Sequence, residues 1–279
     1  MNCTRQSIAH WLVLSAIAMC AGCTPAAPPS GPPAATPSTA PAEPSTVTVA
    51  AASDLKFALD EVIAEFKEEH PETEVAVTYG SSGNFFAQLS NKAPFDIYFS
   101  ADIEYPRKLI EAGHADKATE FQYAIGQIVV WAPKSSPLDI EGQGVQALLD
   151  PSVKKIAIAN PEHAPYGRAA EAAMKQLGVY DQVKDKLVLG ENISQTAQFI
   201  ETGAADVGII ALSLALAPAM SEKGKYAKVP LDAYSTMDQG GVILNWAKDP
   251  AAAMELREFV MGEHGRAILK RYGFLLPGE

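Results

Sequence analysis

From residue 47 to residue 111 the apolar pattern switches repeatedly between the strand period and the helix period. Residues 47–52 (VTVAAA) form an apolar run opened by β-branched residues, the signature of a strand. Residues 53–70 (SDLKFALDEVIAEFKEEH) then place Leu55, Leu59, Val62, Ile63 and Phe66 on one helical face. In 74–79, Val75, Val77 and Tyr79 alternate with Ala76 and Thr78, and a helical pattern follows from about Asn84. Residues 95–99 read as a third strand and 103–111 as a third helix. Parallel strands need long crossovers, so this βαβαβα series implies a mostly parallel, doubly wound α/β sheet. Further strand patterns at 127–132, 155–159, 186–189, 207–210, 228–231 and 241–246 extend the series. With no linker between the two series, two lobes joined by crossing strands are expected. Ligands of open α/β sheets sit at the carboxyl ends of strands, so facing lobes enclose a cleft.

Two loops belong at that cleft: Ala51-Ala52-Ser53-Asp54 after the first strand and Gly80-Ser81-Ser82-Gly83 after the second. Each puts a serine where a helix begins. Ser53 and Ser82 serve equally well as helix N-caps or, together with free backbone N–H groups, as donors to an anion. No Lys or Arg lies between Glu74 and Asn91, and the 279-residue chain has a net charge of −11. Bulk attraction therefore cannot hold an anion here, and aligned dipoles must. The same charge argues against nucleic acid, whose phosphates nothing would neutralise.

A catalytic constellation is not evident. Gly80-Ser81-Ser82-Gly83-Asn84 approaches a nucleophile elbow but lacks the Gly that G-x-S-x-G requires at position 84. His10, His70, His114, His163 and His264 are scattered, with no pair at metal-ligand spacing, and no phosphate loop or G-x-G-x-x-G occurs. His163, in NPEHAPYG, reads as a loop-stabilising residue. Neither a cofactor nor a free metal cation is expected. A periplasmic hydrolase using Ser82 is the alternative in the enzyme class, and it lacks a base at a plausible spacing.

The first 23 residues form a segment apart. Arg5 precedes an apolar run, 12–22, that is too short to span a bilayer and suits a signal peptide. All three cysteines, Cys3, Cys20 and Cys23, lie in or beside it, which leaves the remainder without a disulfide in an oxidising compartment. MCAGCTP resembles a bacterial lipobox with Cys23 as the lipidated residue and Cys20 where Leu is commonest. Residues 24–46 are rich in Pro, Ala, Ser and Thr, with eight of the twenty prolines, and read as an extended tether. The expected location is the periplasm, with a lipid anchor in the membrane.

AASDLKFALDEV, TYGSSGNFFAQL, APFDIYFSAD, NPEHAPYGRAA and KRYGF together resemble the molybdate-binding proteins of ABC importers, over about 47–274. That resemblance implies two discontinuous α/β lobes, 47–126 with 235–279 and 127–234, which close on a tetrahedral oxyanion. It implies hydroxyl donors at Ser53 and Ser82 and backbone N–H donors at Tyr166 and Ile193. Asp54 would add its backbone N–H, as in a subset of the family. Some members place a tyrosine hydroxyl after the GI strand, where this chain has Ala211. The implied ligand is molybdate, with tungstate beside it, and the implied partner is a membrane permease served by a monomer. Another tetrahedral oxyanion such as sulfate is the alternative within the same class. Molybdate is a dianion without a proton at neutral pH, so a site of donors alone suits it. Hydrogen phosphate would want an acceptor, and Asp54 is the one candidate, although a carboxylate there also suits the helix dipole.

Overall fold

The computed structural model describes residues 45–278. The signal segment 1–23 with Cys23, and the tether up to residue 44, lie outside the described residues. In chain order the strands are β1 (Ser45–Ala52), β2 (Thr73–Gly80), β3 (Ile97–Ser100), β4 (Phe121–Gly126), β5 (Ile128–Pro133), β6 (Ile156–Ala159), β7 (Leu187–Gly190), β8 (Val207–Ala211), β9 (Gly224–Lys228) and β10 (Met237–Ile243). They form two five-stranded sheets, ordered β2-β1-β3-β10-β4 and β7-β6-β8-β5-β9. In each sheet the first three strands are parallel. One antiparallel strand, β10 or β5, then separates them from the last. Four of five strands thus share a direction in each sheet, as the alternation of patterns requires. The chain passes between sheets at Gln127 and returns between β9 and β10.

Both faces of the first sheet are covered. Val47, Val49 and Ala51 of β1 pack with Leu59, Val62 and Phe66 of helix Lys56–Glu69 and with Leu256 and Val260 of helix Pro250–Met261. Ala50 points the other way, into a cluster with Phe85 and Leu89 of helix Ser82–Ser90 and with Leu109. A strand buried on both faces has no polar side to alternate with, which is why β1 reads as a continuous apolar run. The second sheet is packed by helices Pro165–Gln176 and Ile193–Glu201 through Ala170, Ala173, Met174, Ala197 and Ile200.

Four elements differ from the sequence reading, one of them β10, which is Met237–Ile243 where 241–246 was expected. Ser45 and Thr46, read as tether, already belong to β1, in register with Thr73 and Glu74. The strand expected at 228–231 is instead Gly224–Lys228, because Pro230 cannot donate to a ladder and opens a 3-10 turn, Leu231–Ala233. This edge strand carries Lys225 and Lys228, the kind of charge that guards an open edge. β4 is new: Phe121, Tyr123 and Ile125 alternate with Gln122, Ala124 and Gly126, a strand period that the sequence reading passed over, and the strand pairs with β10 on one side and bridges Leu275 through Ile125 on the other.

Candidate functional site

The loops after β1, β2 and β3 of the first sheet meet those after β6 and β7 of the second around one cavity. Its walls include Ser53, Asp54, Ser82, Ala101, Tyr166 and Ile193, and the space they enclose is small, about 10 Å³, room for about one water. No Lys or Arg is among the lining residues.

Helix starts supply the polarity. Ser82 and Ile193 are the first residues of helices Ser82–Ser90 and Ile193–Glu201. Tyr166 is the second residue of Pro165–Gln176, behind a proline that suits the first helical position. First-turn N–H groups have no partner within their own helix and carry the positive end of its dipole. Three such ends converge here, beside the 3-10 turn Ser53–Leu55.

Of the two roles open to Ser53 and Ser82, neither serine takes that of side-chain cap for the helix it begins. Helix Ser82–Ser90 is capped by Ser81, whose Oγ accepts from Asn84 N at 3.4 Å. Ser82 Oγ instead accepts from Ala101 N at 3.0 Å, which leaves its own hydrogen to donate. Ser53 makes no cap bond either. Its Oγ donates to Asn192 Oδ1 at 3.2 Å and accepts from Ser194 N at 3.3 Å, both on the opposing lobe. Ser82, the candidate nucleophile of the enzyme reading, meets no histidine among the described residues.

Asp54 lies at the buried side of the cavity, 1% exposed. Its Oδ2 accepts from Tyr166 Oη at 2.9 Å and from Gln239 Nε2 at 2.8 Å, and Gln239 Nε2 also donates to Tyr166 Oη at 2.9 Å. Asp54 Oδ1 is buried with no hydrogen-bond partner, as is Gln239 Oε1. Burial pushes the Asp54 carboxyl up to about 6, against the two side-chain hydrogen bonds, which favour its ionised form. Burial and then the nearby Asp54 hold the hydroxyls of Tyr166 and Tyr123 well above the usual tyrosine range. Gly126 makes room for this network: a Cβ there would lie 2.6 Å from both Gln239 Nε2 and Tyr166 Oη. Sequence reasoning gave Tyr166 only a backbone role and passed over Gln239, which no local motif marks. Ala211 ends β8 in register with Ile128, fully buried, and is not among the residues that line the cavity.

Side chains tie the lobes together on either side of the cavity. Ser81 Oγ is 3.0 Å from His163 Nδ1, Gly83 N donates to His163 O at 2.9 Å, and Asn84 Nδ2 donates to Glu191 Oε1 at 2.5 Å. A Cβ on Gly83 would sit 2.6 Å from His163 O, so only glycine permits this approach. Elsewhere on the rim, Arg168 pairs with Asp102 at 2.6 Å and donates to Tyr105 Oη at 3.2 Å. His163 therefore bridges lobes as well as bracing its loop.

A family model for bacterial extracellular solute-binding proteins matches residues 47–275. The molybdate-binding protein ModA of Rhodobacter capsulatus is 35% identical over 229 residues, covering 82% of this chain and 88% of that one. A putative ABC transporter substrate-binding lipoprotein of Bacillus subtilis, YvgL, is 28% identical over 229 residues, 82% of this chain and 86% of that one. Among solved structures, the periplasmic molybdate-binding protein of Azotobacter vinelandii superposes with a TM-score of 0.78 at 30% identity, covering 83% of this chain and 99% of that chain.

Proposed function

This chain belongs to the bacterial extracellular solute-binding protein family, and from that premise we propose that it captures molybdate, with tungstate alongside, and delivers it to the permease of an ABC importer. The observation that carries this reading is a cation-free cavity onto which three helix starts and two serines converge. Neutral donors suit an ion that is fully charged and accepts every bond. Hydrogen bonds to such an ion are charge-assisted, and they strengthen once the closed lobes exclude water. The proposed donors are the hydroxyl of Ser82, the hydroxyl of Ser53 once its hydrogen turns from Asn192 Oδ1 to the ion, and the backbone N–H groups of Tyr166 and Ile193. The lobes, 47–126 with 235–279 and 127–234, close on the ion by a hinge at the two crossing segments.

The cysteine of MCAGCTP and the relative named as a lipoprotein support acylation at Cys23, which would tether a periplasmic monomer near its permease. Calorimetric titration with molybdate, tungstate, sulfate and phosphate tests the function. Molybdate and tungstate should bind alike and sulfate far more weakly, because a smaller dianion leaves some donors unpaired. Sulfate binding as tightly as molybdate would assign the cleft to another oxyanion.

A further inference from the structure

The cavity holds one group that a site for a dianion should exclude. Asp54 lines it, is buried, and keeps one carboxylate oxygen without a partner. Its nearest polar neighbours are neutral: the hydroxyls of Tyr166 and Tyr123 and the amide of Gln239, with Ser213 Oγ donating to its carbonyl at 2.7 Å. The elements packed against it bring no compensating cation. Lys56, on the following helix, turns away to Asp60 and lies over the Tyr79 ring. Glu191, before helix Ile193–Glu201, is engaged by Asn84 and His163, and Arg168 by Asp102. A dianion entering here would face a buried carboxylate of its own sign, offset only by the partial charges of helix starts and backbone N–H groups and by no side-chain cation among the lining residues.

We propose that Asp54 is the specificity-determining proton carrier of this site: the oxyanion enters together with one proton, held on the Asp54 carboxyl. The inference rests on the oxyanion reading of the cavity. Protonation turns this carboxylate on the wall from an acceptor into a donor, and Oδ1, which lacks a partner, is the oxygen whose hydrogen would be uncommitted. The ionised Oδ2 already accepts two bonds, so the network with Tyr166 and Gln239 holds the carboxyl in place in either state. No bond other than that to the transferred proton is made or broken, and solvent supplies the proton.

The consequence is a pH-linked affinity. A carboxyl that titrates near 6 in the ligand-free protein is protonated in roughly a tenth of molecules at pH 7 and a hundredth at pH 8. Only that fraction is competent, so the apparent Kd rises about tenfold for each unit above 7. The ion's own charge raises the carboxyl further in the complex, which keeps the proton bound across this range.

The test is titration of the protein with sodium molybdate from pH 6.5 to 8.5, in two buffers of different ionisation enthalpy, beside Asp54→Asn. The parent should take up about one proton per ion and lose about tenfold in affinity per pH unit above 7. Asp54→Asn, whose amide is a permanent donor of similar shape, should bind with a flat profile and no uptake. A flat parent profile without proton uptake overturns the role of Asp54 while leaving molybdate capture standing. A variant that retains the parent's slope overturns it equally. Failure of the parent to bind molybdate at any pH overturns the oxyanion reading and this inference with it. Should the variant not fold, the parent's proton uptake decides alone.

Discussion

The two lobes repeat one strand order yet present donors differently. The loops after β1 and β2 bring side-chain hydroxyls, Ser53 and Ser82, whereas those after β6 and β7 bring backbone N–H groups at Tyr166 and Ile193. A hydroxyl depends on residue type and can be removed by a single substitution. A backbone donor depends on where a helix starts and survives most changes of side chain. Half of the proposed donor set is therefore written in residue identity and half in geometry.

The largest effect should come from removing both hydroxyls at once. Each bond to a charged ion is worth about 1.5–3 kcal/mol, so Ser53→Ala with Ser82→Ala should weaken molybdate binding by roughly a hundred- to ten-thousand-fold, measured by calorimetry. Near-parent affinity would leave the backbone donors of the second lobe to carry the site by themselves.

Next in size is an effect on the ligand-free fold, at the network where the lobes share a buried carboxyl. Asp54 titrates at about 6 in the folded chain, against the ordinary aspartate value of 3.8 that the unfolded chain would show. A raised carboxyl binds more protons folded than unfolded, so stability is highest below 3.8 as far as this group is concerned. It falls as pH rises to about 6, by about 3 kcal/mol, and is level above. Urea unfolding at pH 4.5 and 7 should show most of this fall in the parent and not in Asp54→Asn.

A backbone donor can be removed without touching the hydroxyls. Ile193→Pro deletes one N–H at the first position of its helix, where proline is tolerated, and the preceding Asn192 is already extended (φ −152°, ψ 174°). Affinity should fall by about ten- to a hundred-fold with helicity retained on circular dichroism. An unchanged affinity would place the ion away from the second lobe's donors. The smallest effect belongs to the rim: Arg168→Ala removes a partly exposed pair with Asp102 and should cost only a few-fold in affinity, since such pairs contribute about 0.2–1 kcal/mol.

What the sequence made legible follows the same division. The α/β alternation was readable because strands buried on both faces and amphipathic helices leave periods in the chain. Ser53 and Ser82 were visible as hydroxyls at strand–helix junctions, although their freedom from capping was not, since that depends on whether the helix starts one residue earlier or later. The network of Asp54, Tyr166 and Gln239 had no local signal at all. Its members lie 112 and 185 positions from Asp54, and only the packing of one sheet against the loops of the other unites them. β9 shifted because this edge strand buries little and alternates weakly, whereas β4, largely buried with Phe121, Tyr123 and Ile125 at alternate positions, was legible and passed over.

The antiparallel strand of the first sheet also governs when that sheet can be completed. β4 joins its sheet through β10, with Gly126 in register with Met237, and the whole of the second sheet lies between them in the chain. No nascent segment ending before Met237 can complete the first sheet. Until then β3 and β4 keep open edges, and such long-range pairings form slowly because the chain between them must first be ordered. The second sheet, built wholly from residues 128–228, needs nothing from β10, so the first sheet is the part of the fold completed last.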